Sequence, residues 1–374
     1  MKYRLFWDAL KMEILGHHLE LRKLRLHLLE LRLFNIVNVN HLRAFPGEML
    51  KMFCLMTLMF SGSCETKPEP TVDFYYWKSE RPPNAAEAEI FSALNSKKLY
   101  VRLFDVDLQQ GNPAPQGILA NFNKEILPAE YVPVVFITNR TFLNISEESL
   151  DNLATKVSGL TDKIMSDHFG SFKELQIDCD WTESTKTSFF SFLEKLKDLS
   201  DKNISCTLRL HQVKYKEKTG VPPVDKTYLM AYATSNPLGE EEINSILDIS
   251  LLKNYLENIN EYPLDFDVAL PLYSWAVVTN HLGKKLLING VSENDLNPAE
   301  YMELSPGNYE LEDNVFLRGI YLNRGFKLKL ETVSPELLLE GKKYLNQKIK
   351  RPYNIVYYHL DTLFTNRFTL EDLL

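Results

Sequence analysis

With 374 residues, 45% of them hydrophobic and 11% aromatic, the chain can bury a large core as one big α/β domain or two ordinary ones, which excludes disorder as its main state. The net charge of −8 is unevenly placed: residues 1–63 carry nine Lys and Arg against five Asp and Glu, so the remainder holds about twelve surplus acidic charges. An acidic body without basic, aromatic-interleaved stripes argues against nucleic acid as the partner.

From Met49 a lysine, an apolar run over 52–60 and the small residues Ser61, Gly62 and Ser63 precede Cys64. That order is a secretory signal too short to span a bilayer. It resembles a bacterial lipoprotein signal, with Ser61 standing where the lipobox has Leu. The resemblance implies a signal peptide over 49–63, acylation of Cys64, a polar tether over 64–71, and a cell-envelope location with the membrane as partner through the lipid. Residues 1–48 then read as a leader ahead of a start at Met49 or Met52. A competing reading takes 17–34, rich in Leu, Arg and Lys, as a basic helix lying on a membrane.

Beyond the tether, apolar strand-like runs alternate with amphipathic stretches. Strands are expected at 72–77, 99–107, 134–138, 174–181, 204–211, 227–232, 266–275 and 354–361. Helices are expected at 85–96, 146–168, 185–200, 240–258 and 335–348. Eight such units close into a (β/α)8 TIM barrel over 72–374. The interval between the seventh strand and the helix at 335 holds β-like runs at 285–288, 309–321 and 327–332 among Gly and Asn turns, which predicts a small β-rich insertion over 277–333. A doubly wound sheet is the alternative, but no Gly-rich phosphate turn follows the first strand.

The segment Glu174 to Thr182 carries the most chemistry. Strand side chains alternate, so Asp178 and Asp180 share a face opposite Ile177 and Cys179. Two carboxylates on one face of a buried strand repel each other and lose hydration, an arrangement kept where a ligand or a reaction uses it, or tied up in an ion-pair network. Cys179 then faces packed helices as a small core residue. None of the four cysteines has zinc-type spacing.

Barrel sites form at the C-terminal ends of strands. Those ends carry Trp77, Asp105, Asp107, Asp178, Asp180, Trp181, Arg209, His211, Tyr232, Tyr273, Trp275, Tyr357, His359 and Asp361. Flat apolar rings beside carboxylates match the needs of sugar recognition. The tyrosines read equally as barrel-wall residues, and the histidines as partners of nearby acids. A metal set of Asp178, Asp180, His211 and His359 lacks ligands at a recognisable spacing, so neither metal nor cofactor is expected.

Three short motifs within this pattern resemble the chitinase-like glycoside hydrolases of family eighteen. Asp178 and Asp180 match the second and third aspartates of that family's fourth-strand Asp-x-x-Asp-x-Asp-x-Glu, while Leu175 replaces the first. Met230-Ala231-Tyr232 resembles its sixth-strand Met-x-Tyr-Asp, with Ala233 in place of the aspartate. Leu270-Pro271-Leu272-Tyr273 resembles its seventh-strand Leu-Pro-x-Tyr, and many members carry a β-rich insertion there. The family's general acid falls on Thr182, which cannot protonate a leaving oxygen. Glu183 is one residue along, a step that turns a strand side chain to the other face. The whole chain also resembles bacterial lipoproteins grouped only as a domain of unknown function.

Three functions follow. One is an envelope glycoside hydrolase in which Asp178 and Asp180 position or stabilise the reacting centre and Asp107, Glu183 or Asp361 supplies the acid. The second is a glycan-binding lipoprotein that keeps the aromatic mouth without the acid. The third is a structural envelope protein, which requires the mouth acids to be paired with Arg102, Arg209 or Lys78 and no cleft to be open.

Overall fold

The computed structural model describes residues 70–239 and 243–374. The leader, signal peptide and Cys64 anchor expected from the sequence lie outside the described residues. The chain forms β1 Val72–Tyr76, β2 Lys98–Gln109 with its hairpin partner β3 Asn112–Gln116, β4 Glu130–Ile137, β5 Glu174–Asp178, β6 Asn203–Arg209, β7 Lys226–Met230, β8 Phe266–Pro271 and, after an insertion, β16 Ile355–Tyr358. The eight strands other than β3 pair in parallel in the order β1, β16, β8, β7, β6, β5, β4, β2, and β1 also pairs with β2, which closes the ring. This is the (β/α)8 barrel the alternation of strand and helix predicts.

The covering helices are α1 Ala85–Ala93, α2 Glu147–His168, α3 Lys186–Leu199, α4 Leu210–Lys214, α5 Lys216–Thr219, α6 Ile249–Tyr255, α7 Pro335–Lys348, α8 Thr362–Thr365 and α9 Leu370–Leu373. Their starts are written in cap residues: Asn84 and Glu87 make a capping box on α1, Ser146 caps α2, and Ser334 precedes Pro335 at the start of α7. Helix α2 buries Leu150, Leu153, Ala154, Val157, Thr161 and Ile164, a three-to-four repeat against the strands.

Several expected elements differ: the strand expected over 174–181 ends at Asp178, and that over 204–211 gives way at Leu210 to α4. The helix expected over 240–258 is confined to α6, because Asp248 takes the N-cap, accepting from the Leu251 N–H at 2.8 Å. The strand expected over 266–275 divides, since β8 ends at Pro271 and a new strand, β9 Trp275–Thr279, leaves the barrel. Strand β9 opens the insertion, an antiparallel sheet with β10 Lys285–Asn289, β11 Tyr301–Ser305, β12 Asn308–Leu311 and β15 Lys327–Glu331 in the order β10, β9, β15, β12, β11. A separate hairpin pairs β13 Val315–Leu317 with β14 Ile320–Leu322. Ala276, Val278, Ile288, Leu311, Leu328 and Leu330 give the insertion a core of its own.

At the N-terminal floor of the barrel the inward side chains form a polar layer. Glu174 accepts from Ser205 and Tyr228, each at 2.7 Å, with Lys98 at 3.6 Å. The Tyr100 and Tyr228 hydroxyls lie 3.0 Å apart. One step up, Tyr75 donates to Gln176 at 2.8 Å. Cys179 and Cys206 are free thiols buried on the helix side.

Candidate functional site

The inward alternation of β5 carries Glu174, Gln176 and Asp178 from floor to mouth, and the strand ends there. Above it opens a cavity of about 550 Å³ lined by Trp77, Asp105, Phe136, Asp178, Arg209, Tyr232, Ala233, Tyr273, Ser274, Trp275, Asn289, Tyr358, His359 and Phe364. A second hollow of about 290 Å³ lies beside it, with Asp180, Arg209, His211, Tyr232 and Tyr255 in its wall. Arg209, Tyr232 and Ala233 belong to both.

Tyr358 is the hub of the aromatic wall. Its ring centroid lies 5.5 Å from Trp77 and 5.7 Å from both Tyr232 and Tyr273, and Tyr273 lies 5.1 Å from Trp275. Tilted and edge-on contacts of this kind hold rings rigidly. The Trp275 indole N–H donates to Glu331 of β15 at 2.7 Å, and the same buried carboxylate receives Ser245 and lies 2.8 Å from Lys329. The insertion thereby sets the orientation of a ring in the barrel mouth.

The mouth carboxylates are held in different ways. Arg102 clamps Asp105 through two nitrogens and packs over Trp77, its guanidinium 6.0 Å from the ring. Arg209 pairs with Asp180. Asp178 is buried and accepts from Thr207 at 2.6 Å. Burial pushes its carboxyl up to about 6, with the Asp180 charge adding and Arg209 and Thr207 opposing. Burial likewise lowers His211, with Arg209 adding and Asp180 opposing.

The structure corrects several sequence expectations. Trp181 is fully buried on the helix side, stacked on Phe189 at 5.1 Å with its N–H donated to the Thr219 carbonyl, so its ring is core and not mouth. Tyr357 is also fully buried, 5.7 Å from Phe74, and donates to the Leu373 carbonyl at 2.9 Å. Asp107 lines neither hollow; Thr138 donates to it at 2.8 Å, and hydrogen bonding to Arg140 holds its carboxyl well below the usual range. Asp361 is the N-cap of α8, accepting from Leu363 at 2.9 Å. Glu183 is exposed and lines neither hollow. Thr182 is tied into the loop after β5, its N–H donating to the Thr185 hydroxyl and its own hydroxyl 2.9 Å from Ser184.

Trp77, Asp105, Asp178, Arg209, Tyr232, Tyr273, Trp275 and His359 meet at the main cavity, and Asp180 and His211 at its neighbour. The sequence reading missed Phe136, Ser274, Asn289, Tyr358 and Phe364. Alternation on β16 was the available signal for Tyr358, since it must face opposite to Tyr357. Asp105 and Asp180 are paired with Arg102 and Arg209 as a structural role requires, yet the cleft such a role excludes is present.

Solved structures of similar fold include spore cortex-lytic enzymes and a chitinase. SleL, the spore cortex-lytic enzyme of Bacillus cereus, matches with a TM-score of 0.51 at 14% identity over 81% of this chain and 76% of that one. The Bacillus megaterium SleL gives 0.52 at 15% over 83% and 75%, and a chitinase of Chromobacterium violaceum gives 0.51 at 12% over 81% and 98%. The likeness is one of fold, the (β/α)8 barrel. Within this barrel, β5 ends at Asp178, with Asp180 and Thr182 in the loop that follows. No protein-family model and no curated protein sequence matches the chain.

Proposed function

We propose that this chitinase-type barrel binds a glycan at its mouth and does not hydrolyse it, as a lipoprotein anchored in the cell envelope through Cys64. The observation that carries the reading is the cavity of about 550 Å³ walled by Trp77, Tyr232, Tyr273, Trp275 and Tyr358. Sugar rings stack on such faces while hydroxyls find polar groups between them. Turnover needs a proton donor beside the bond that breaks. Thr182 occupies the expected place for that acid, and Asp105 and Asp180 are each committed to an arginine.

The test incubates the purified full-length chain with a panel of amino-sugar and neutral oligosaccharides, reading binding by calorimetry and products by mass spectrometry. Binding without products, weakened at least tenfold by Trp77→Ala, is the expected result. Absence of binding across the panel would count against a glycan role. One observation favours hydrolysis instead: burial keeps the Asp178 proton up to about pH 6, as a general acid requires. Product release lost in Asp178→Asn would establish that alternative. For the anchor, incorporation of a labelled fatty acid that disappears in Cys64→Ser is expected, and incorporation that persists would remove it.

A further inference from the structure

Among the described residues, the mouth gathers three carboxylates and two guanidinium groups. Arg102 holds Asp105 and Arg209 holds Asp180, each through two nitrogens. Asp178 is left over. Its Oδ1 accepts from Thr207 at 2.6 Å, whereas Oδ2 receives no donor and is not sealed from solvent. The residue keeps 8% of its surface exposed and lines the cavity of about 550 Å³, so a ligand there meets the free oxygen. Lys78, the other nearby cation, sits 2.5 Å from the buried Glu87. Burial pushes His359 down to about 4, which leaves its ring uncharged near pH 7. The mouth therefore carries one surplus negative charge once Asp178 is ionised.

Rings surround that charge. Trp77, Tyr232 and Tyr273 each lie within 5.7 Å of Tyr358, centroid to centroid, and Trp275 lies 5.1 Å from Tyr273. An aromatic ring presents a negative face to a cation, an attraction worth about 2 kcal/mol where water is excluded. A carboxylate at the base of a ring-walled cavity selects an ammonium group over an uncharged or anionic one.

We propose that Asp178 and the rings around it form an ammonium site, and that the glycan bound at the mouth carries free, protonated amines. The inference rests on the glycan-binding reading and names the charge of the sugar. An N-acetylated sugar brings no charge to Oδ2, and a uronate faces it charge against charge. A hydrogen bond from an ammonium to a carboxylate is about twice as strong as one between neutral groups.

Binding is coupled to the Asp178 proton. Facing the carboxyl are the charges of Arg209, Asp180 and Asp105, with the Arg102 guanidinium beside the last. The Tyr75, Tyr232 and Tyr358 hydroxyls stay protonated because burial raises them. Burial pushes the Asp178 carboxyl up to about 6, so an ammonium entering below that pH displaces a proton. A ligand of permanent positive charge then binds roughly tenfold more weakly at pH 5 than at pH 7.

The experiment uses the full-length chain and four probes: a glucosamine tetramer, its fully N-acetylated form, cellotetraose and choline. Calorimetry at about pH 6.5 is expected to show the free-amine tetramer bound more tightly than the acetylated form or cellotetraose, by roughly tenfold or more, and Asp178→Asn to erase that preference. Asparagine keeps the volume and the bond from Thr207, and a melting curve checks that the variant folds. Choline, whose charge does not titrate, is expected to bind the native chain at pH 7 and to weaken at pH 5. That comparison decides the case without any variant. Equal binding of the free-amine and acetylated tetramers, a preference that survives in Asp178→Asn, or choline unbound or bound alike at the two pH values would each overturn the ammonium site. Choline bound in the expected way with no tetramer bound at all would overturn the glycan reading and leave the ammonium site standing.

Discussion

The floor and the mouth of the barrel are built from the same strands and treat polar groups in opposite ways. At the floor, Glu174 gathers Ser205, Tyr228 and Lys98, and Tyr228 meets Tyr100. At the mouth, Asp178 is buried beside a second carboxylate, and Ser274 and His359 keep atoms unpaired. Gln176 marks the boundary, accepting from Tyr75 while its amide nitrogen finds no partner. A closed network returns its desolvation cost as hydrogen bonds, and an unpaired buried group does not. The difference teaches that the floor closes its polar network within the barrel while the mouth leaves atoms of Ser274 and His359 unpaired.

That division is broken most directly at Glu174. Replacing it by Ala strands Tyr228, Ser205 and Lys98 together, and urea denaturation is expected to show a loss of about 3 kcal/mol with glycan affinity unchanged in the folded protein. A loss under about 1 kcal/mol would mean that the floor network does not hold the barrel. Asp178→Asn should do the reverse. The folded carboxyl sits near 6 against an ordinary 3.8, so the native state binds the proton more tightly than the unfolded chain, and this residue's contribution to stability falls as pH rises from about 4 to about 6. The asparagine variant, still able to accept from Thr207, is expected to gain up to about 3 kcal/mol at pH 7 and to flatten that stretch of the melting curve against pH. A variant that melts lower than native at pH 7 would contradict it. The smallest effect belongs to Glu331→Gln, which weakens the hold on Trp275: about 1 kcal/mol of stability, a shifted tryptophan emission and a few-fold loss of glycan affinity are expected. Unchanged emission would show that the carboxylate does not set the indole.

Much of the barrel was legible in the sequence because its strands are apolar runs of the right length between capped helices. The motif Glu174 to Asp180 was legible for the same reason, since a period of two determines which side chains share a face. The same period, applied to Trp181, puts it with Cys179 on the helix side, where it packs on Phe189. Ring chemistry alone had drawn it to the mouth. Tyr357 and Tyr358 repeat the lesson: both are tyrosines at a strand end, and only parity separates the one bonded to Leu373 from the one lining the cavity. Asp361 was legible as an acid but not as an N-cap, because α8 is a single turn with no periodicity to announce it. Glu331 was beyond reach, since its link to Trp275 depends on the register in which β15 lies on β9. Ser274 and His359 could be found only by following every buried polar atom to its partner.

The ring closes by pairing Val72 with Ile355 and Phe74 with Tyr357. Until β16 is in place, β1 and β8 are open edges able to template other strands. The last strand must therefore find neighbours from both ends of a long stretch of chain, a non-local search that slows folding. The barrel resembles a clasp: the segment that bears Tyr358 and His359 is also the one that joins β1 to β8, so releasing it would open the ring and dismantle the mouth together.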